Sequence, residues 1–170
     1  MKVNTCLRFT SGVMLSLYAL SSSAVGNTDS TSFAVKLDIT ATCSISASPA
    51  TDVDFGSHAS NAGVLTATGQ LIVNCTNGTD YQIGLNNGSN YLGDIRNMEG
   101  QDSTNSGELV PYSLYSDAAM SNSWGDTLGA DTYGGTGTGE KENIQVYAKL
   151  TSTNFKAGNY KDTVTAVVTY

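Results

Sequence analysis

Apolar residues fall on every second position from Phe33 to Ile39. Phe33, Val35, Leu37 and Ile39 alternate with Ala34, Lys36, Asp38 and Thr40. Successive side chains of an extended chain point to opposite sides, so this period predicts an amphipathic strand with those four residues on one face. The same period closes the chain between Lys161 and Tyr170, where Val164, Ala166, Val168 and Tyr170 alternate with Thr163, Thr165, Val167 and Thr169. Shorter runs lie between them. Leu71, Val73 and Cys75 share one side of Val64–Cys75; Tyr81, Ile83 and Leu85 form a second set; Tyr112 and Leu114 oppose Ser113 and Tyr115; Ile144, Val146, Ala148 and Leu150 form a fourth. Asn77-Gly78, Asn87-Gly88 and Ala157-Gly158-Asn159 supply turn signals between runs. No segment carries a helical period. Many short strands with regular turns predict an all-β antiparallel sandwich. Two polar stretches, Glu99–Glu108 and the Gly- and Thr-rich Gly125–Glu142, read as exposed, mobile connections. A domain with amphipathic strands at both ends must pair those ends, and the pattern suggests a neighbouring subunit as the partner of one of them.

The first residues change the picture of compartment. Lys2 and Arg8 form a basic region, Phe9–Leu20 a short apolar one, and Ser22-Ser23-Ala24 or Ala24-Val25-Gly26 a small-residue cleavage site. This reads as a signal peptide over residues 1–26, with residues 27–170 as one exported domain; a retained anchor is the alternative. Cys6 leaves with the leader, and Cys43 and Cys75 remain. An even pair in an exported chain reads as a disulfide, closing a loop of about 30 residues and stabilising by roughly 3–4 kcal/mol. Its Cα atoms are then expected about 4.4–6.8 Å apart.

Charge and candidate chemistry narrow the function classes. Without Lys2 and Arg8, six basic residues face fifteen acidic ones, a formal charge of −9. No basic footprint for nucleic acid is present. Gly134–Gly139 resembles a phosphate loop but lacks the Gly-Lys-Ser/Thr ending and a following helix, so it reads as a hairpin loop. Asp52 with Asp54, and Asp126 with Asp131, are too few for a calcium loop, so no metal is expected. His58 is the one histidine and sits in a polar run without a nucleophile–base pattern. Neither an enzyme nor a cofactor is expected. Asn74-Cys75-Thr76, Asn77-Gly78-Thr79 and Asn87-Gly88-Ser89 match the N-glycosylation pattern, but Asn and Gly here read better as turn residues.

Several pieces in order carry a resemblance: Val35-Lys36-Leu37-Asp38-Ile39 leading to Cys43, Phe55-Gly56, Val73-Asn74-Cys75-Thr76, Tyr81, Arg96-Asn97-Met98, Tyr112–Asp117, Trp124-Gly125, and Gly158–Val164 with the terminal Tyr170. The chain resembles the spore coat protein U domain family, which includes the major pilins of archaic chaperone–usher (Csu-type) pili. That resemblance implies an incomplete immunoglobulin-like antiparallel β-sandwich that lacks its last strand. It implies a periplasmic chaperone that fills the groove first, an outer-membrane usher, and identical subunits joined when the N-terminal strand of the next one replaces the chaperone. Carried onto this chain, the donor strand enters through Phe33 and Val35 and reaches Leu37, running into the subunit's own first strand at Leu37 and Ile39. Val164, Ala166, Val168 and Tyr170 line the groove and face the chaperone. The tail before Phe33, Asn27–Ser32, is polar, which leaves the donor register open. The expected role is a structural subunit of a surface fibre, exported through the periplasm. A cell or spore coat protein and a monomeric carbohydrate-binding adhesin module are the alternatives. Tyr115, Trp124 and Tyr160 are expected to be structural aromatics, with Trp124 and Tyr160 substantially buried.

Overall fold

The computed structural model describes residues 26–47 and 52–170. The proposed leader, but for Gly26, lies outside the described residues. The chain divides after Leu37 into two units. In the first, residues 26–37 carry no regular secondary structure and are exposed. The described residues of the second, Asp38–Tyr170, form nine strands: β1 Cys43–Ser46, β2 Leu65–Cys75, β3 Asp80–Leu85, β4 Arg96–Gly100, β5 Leu109–Tyr115, β6 Tyr133–Thr136, β7 Lys141–Leu150, β8 Tyr160–Lys161 and β9 Ala166–Thr169. They form a six-stranded sheet in the order β1-β2-β7-β5-β4-β8 and a three-stranded sheet in the order β6-β3-β9, every pair antiparallel. The described residues contain no helix.

The period-2 pattern explains the core. Leu71, Val73 and Cys75 of β2, Ile144, Val146 and Ala148 of β7, and Tyr112 and Leu114 of β5 all point inward from the larger sheet. Tyr81, Ile83 and Leu85 of β3 meet them from the smaller one. The spine is the β2–β7 ladder, in register from Leu65↔Leu150 to Asn74↔Lys141. Each large aliphatic buried between the sheets contributes about 1.5–3 kcal/mol. Trp124 is fully buried, and its indole Nε1–H donates to the Ile83 carbonyl at 2.8 Å. Its ring centroid lies 5.5 Å from that of Tyr133.

Four expectations are corrected. Phe33–Thr40 is not a strand in this chain; the first strand begins at Cys43, and Leu37 and Ile39 are 82% and 75% exposed. The alternation is real, but a strand needs a ladder partner, and none of the described residues pairs with it. Gly134-Gly135 lies in strand β6, not in a loop. A Cβ on Gly135 would collide with the Tyr81 ring, so the absent side chain is what lets the aromatic pack across the strand. The Glu99–Glu108 stretch begins in β4 and folds around Asn105, which is fully buried and donates from Nδ2 to the Asn159 carbonyl at 3.0 Å. The closing strand is shorter than its pattern: β8 joins the larger sheet at β4, and only Ala166–Thr169 pairs with β3.

Candidate functional site

The sandwich is not closed. A cleft of about 410 Å³ opens into its core. The larger sheet supplies Gly69 and Leu71 from β2, Leu114 from β5 and Val146 from β7; the segment after β1 supplies Ala47, Val53 and Phe55; the chain from Tyr160 to Ala166 supplies Val164 and Ala166. Inward positions of β2 carry large residues at Leu71, Val73 and Cys75 but small ones at Ala67 and Gly69, and this change in size gives the cleft depth. Val53, Phe55, Val164 and Ala166 pack on the core yet stay only half-buried. They are core residues without a covering layer. β9 has β3 on one side, and among the described residues no strand pairs with its other edge. An unpaired edge beside open apolar surface is a template for an added strand.

One end of the cleft is fixed by Asp162. Its Oδ2 accepts the Tyr112 hydroxyl at 2.6 Å, and its Oδ1 accepts the Ser89 amide at 2.9 Å and the Asn90 amide at 3.3 Å. One carboxylate thus ties the segment between β8 and β9 to the turn after Gly88 and to the inner face of β5. Burial, with the bond to Asp162 as a second cause, pushes the Tyr112 phenol well above its ordinary range. Nearby, Arg96 donates to the carbonyls of Leu85 at 2.7 Å and Asn86 at 3.0 Å, and burial pushes its pKa below the usual guanidinium value. These bonds hold the end of β3 in place.

The other end of β1 carries the bonded pair Cys43–Cys75. The two residues face each other directly in the β1–β2 ladder, with Cα atoms 4.1 Å apart, slightly closer than the expected range. The ladder runs one step further, where the Thr76 amide donates to the Thr42 carbonyl at 2.9 Å.

The expected site residues distribute as follows. Phe33, Val35 and Leu37 are 85%, 87% and 82% exposed. Val164 and Ala166 line the cleft, Val168 is half-buried against the core, and Tyr170 lies beyond β9, largely exposed. Tyr160 lines the cleft half-buried, less covered than expected, with its hydroxyl donating to the Lys156 carbonyl at 2.8 Å. Sequence reasoning missed Val53, the place of Met98 in the lining of the cleft, and the hub role of Asp162. A signal for the first was available, since Val53 and Phe55 alternate with Asp52 and Asp54; attention to the carboxylates hid the apolar face between them. Asp54 accepts the Gly56 amide at 2.7 Å, and Asp131 accepts the Thr127 amide at 2.8 Å, so both close turns. His58 is exposed, with its Nε2 2.6 Å from the Phe55 carbonyl. No group of three metal-ligating side chains occurs among the described residues.

The fold is thus an all-β antiparallel sandwich with an uncovered stretch of core beside an edge strand that none of the described strands pairs with on its outer side. The profile of the Spore Coat Protein U domain matches residues 29–167, and the chain belongs to that family. No curated protein matches the sequence. Among solved structures, it is similar to a chain of the CsuC–CsuE chaperone–tip adhesion subunit pre-assembly complex from archaic chaperone-usher Csu pili of Acinetobacter baumannii. The two are 25% identical with a TM-score of 0.52, over 78% of this chain and 40% of that chain. A chain of a chaperone–tip adhesin complex for CFA/I fimbriae biogenesis aligns at 13% identity and a TM-score of 0.40, over 75% of this chain and 41% of that one. The present chain therefore spans about 40% of the length of the solved chains it matches.

Proposed function

We propose that the protein is a structural subunit of a chaperone–usher surface fibre that polymerises by donor-strand exchange. The observation that carries this reading is a matched pair within one chain. The cleft has room for an apolar strand, and Phe33–Ile39 is an exposed segment whose sequence alternates as a strand's does and has no ladder partner among the described residues. Insertion along the free edge of β9 would supply main-chain hydrogen bonds, while Phe33, Val35, Leu37 and Ile39 fill successive openings toward Val53, Phe55, Val164 and Ala166. The donor is then a four-residue face. The exposure of Leu37 and Ile39 supports a register that includes them and does not draw on the polar Asn27–Ser32. Membership of the family and the likeness to a chain of a chaperone–subunit pre-assembly complex support the same reading.

Under it, a periplasmic chaperone occupies the cleft before assembly, an outer-membrane usher receives the complex, and the fibre is displayed at the cell surface. The donor comes from an identical subunit. Val164, Ala166, Val168 and Tyr170 present the chaperone-facing edge. Deleting Val25–Val35 from the exported protein tests the reading. The expected product still co-purifies with its chaperone but forms no fibres by electron microscopy. Fibres in wild-type yield would move the coat-protein or monomeric adhesin alternatives ahead.

A further inference from the structure

A donor strand tethered to its own subunit can in principle insert into its own cleft. A short flexible tether holds its strand near its own cleft at an effective concentration in the millimolar range, far above that of a second subunit. Length does not prevent self-insertion. Phe33–Ile39 spans roughly 24 Å when extended, whereas the cleft begins at Leu71, five residues or about 17 Å along β2 from Thr76. Yet Phe33, Val35, Leu37 and Ile39 are each at least 75% exposed, with no ladder partner among the described residues.

Direction is what stands in the way. β1 runs from Cys43 opposite Cys75 to Ser46 opposite Ile72, and so toward the cleft; the root of the donor leaves from the opposite end. To return, the chain must reverse within Thr40-Ala41-Thr42. That tripeptide has none of the Gly, Asn, Asp or Pro residues that favour a tight reversal. It is also held. The Thr42 amide donates to Thr76 Oγ1 at 3.0 Å, and the Thr76 amide donates to the Thr42 carbonyl at 2.9 Å. The Thr76 hydroxyl lies 3.3 Å from the Thr42 carbonyl and 3.5 Å from the Thr40 carbonyl, able to donate to one at a time. Thr76 cannot follow the root if it turns. Its neighbour Cys75 is bonded to Cys43 and accepts the Gly139 amide at 3.0 Å.

We propose that Thr76 is a positioning residue that holds the donor root away from its own cleft and so directs the strand to a second copy of the chain. The proposal rests on the donor-strand reading, and its test separates the two. Benzoylphenylalanine is placed at position 37 of the full exported protein, and a mixture of isotope-labelled and unlabelled subunits is assembled and irradiated. Mass spectrometry of cross-links to peptides carrying Val53–Phe55 or Val164–Ala166 then distinguishes cis from trans. Wild type is expected to cross-link between chains. Thr76→Val should raise the cis-to-trans ratio about fivefold, the factor that one net hydrogen bond carries. Thr76→Ser, which keeps the hydroxyl, should stay at the wild-type ratio. An unchanged ratio in Thr76→Val overturns the clamp and leaves donor-strand exchange standing. Absence of any cross-link to cleft peptides overturns donor-strand exchange itself. If Thr76→Val does not accumulate, Gly-Gly inserted between Ala41 and Thr42 gives the root a turn without touching Thr76. That variant should yield the cis product, and a wild-type ratio there also overturns the clamp.

Discussion

Leu37→Ala is a substitution whose effect should depend entirely on whether the subunit is alone or assembled. In the single chain Leu37 is 82% exposed and lies in no strand. Truncating it there removes almost no packing, so the stability of the chaperone-released subunit should change by less than about 0.5 kcal/mol, as for other surface positions. Under the donor-strand proposal the same side chain would enter the cleft of a neighbour in a fibre, among lining residues such as Leu71, Leu114 and Val146. Cutting a buried leucine to alanine there costs about 2–5 kcal/mol. That range lowers the ratio of assembled to free strand by a factor of roughly 30 to several thousand. The assay has two arms. Thermal unfolding of the monomer measures the first number, and the temperature at which fibres fall into monomers on a denaturing gel measures the second. Lys36→Ala, on the opposite face, is the control and should move neither. A loss above about 1 kcal/mol in the monomer would mean that Leu37 already packs within its own subunit. Fibres of unchanged stability would mean that it never enters a neighbour. Either result refutes the reasoning.

Other expectations follow from the core and the cleft end. Reducing Cys43–Cys75, or replacing both with Ala, should lower subunit stability by roughly 3–4 kcal/mol in denaturant unfolding, given the separation of 32 residues. Asp162→Asn leaves the shape but weakens the anchor of Tyr112, Ser89 and Asn90; it should cost about 1–3 kcal/mol and reduce chaperone capture measured by co-purification. Tyr81 and Tyr112 have phenol pKa values raised above 10.0, first by burial and then by bonds to Glu142 and Asp162. A raised acid contributes stability that is present below its unfolded pKa and is lost as pH rises through the folded one. Stability should therefore fall as pH climbs above 10, and in an absorbance titration these two tyrosinates should appear only with unfolding.

How much was legible in the sequence divides along physical lines. Strands buried on one face announced themselves. Leu71-Val73-Cys75, Tyr81-Ile83-Leu85 and Ile144–Leu150 all lie in the core at the positions that their period implies. Strands whose role depends on backbone approach did not, because Gly134-Gly135 in β6 carries no alternation and is defined by the Tyr81 ring above it. Composition places Asn105 in an exposed loop because it cannot reveal that the side-chain amide is consumed on both ends, its Oδ1 accepting the Asp102 amide within the turn and its Nδ2 donating to the distant Asn159 carbonyl. The instructive case is Phe33–Ile39. Its pattern is the signature of a half-buried strand, and the pattern cannot say whose sheet does the burying. The first residue to enter the subunit's own ladder is set by Thr42, Cys43 and their partners on β2.

The central claim is that the cleft of one copy holds Phe33–Ile39 of another. A cryo-electron microscopy map of fibres assembled from the purified subunit tests it most directly. The account predicts continuous density for Phe33–Ile39 along the free edge of β9 in the neighbouring copy, with the four apolar side chains directed toward Val53, Phe55, Val164 and Ala166. An empty cleft, or one filled by a segment of its own chain, would contradict it.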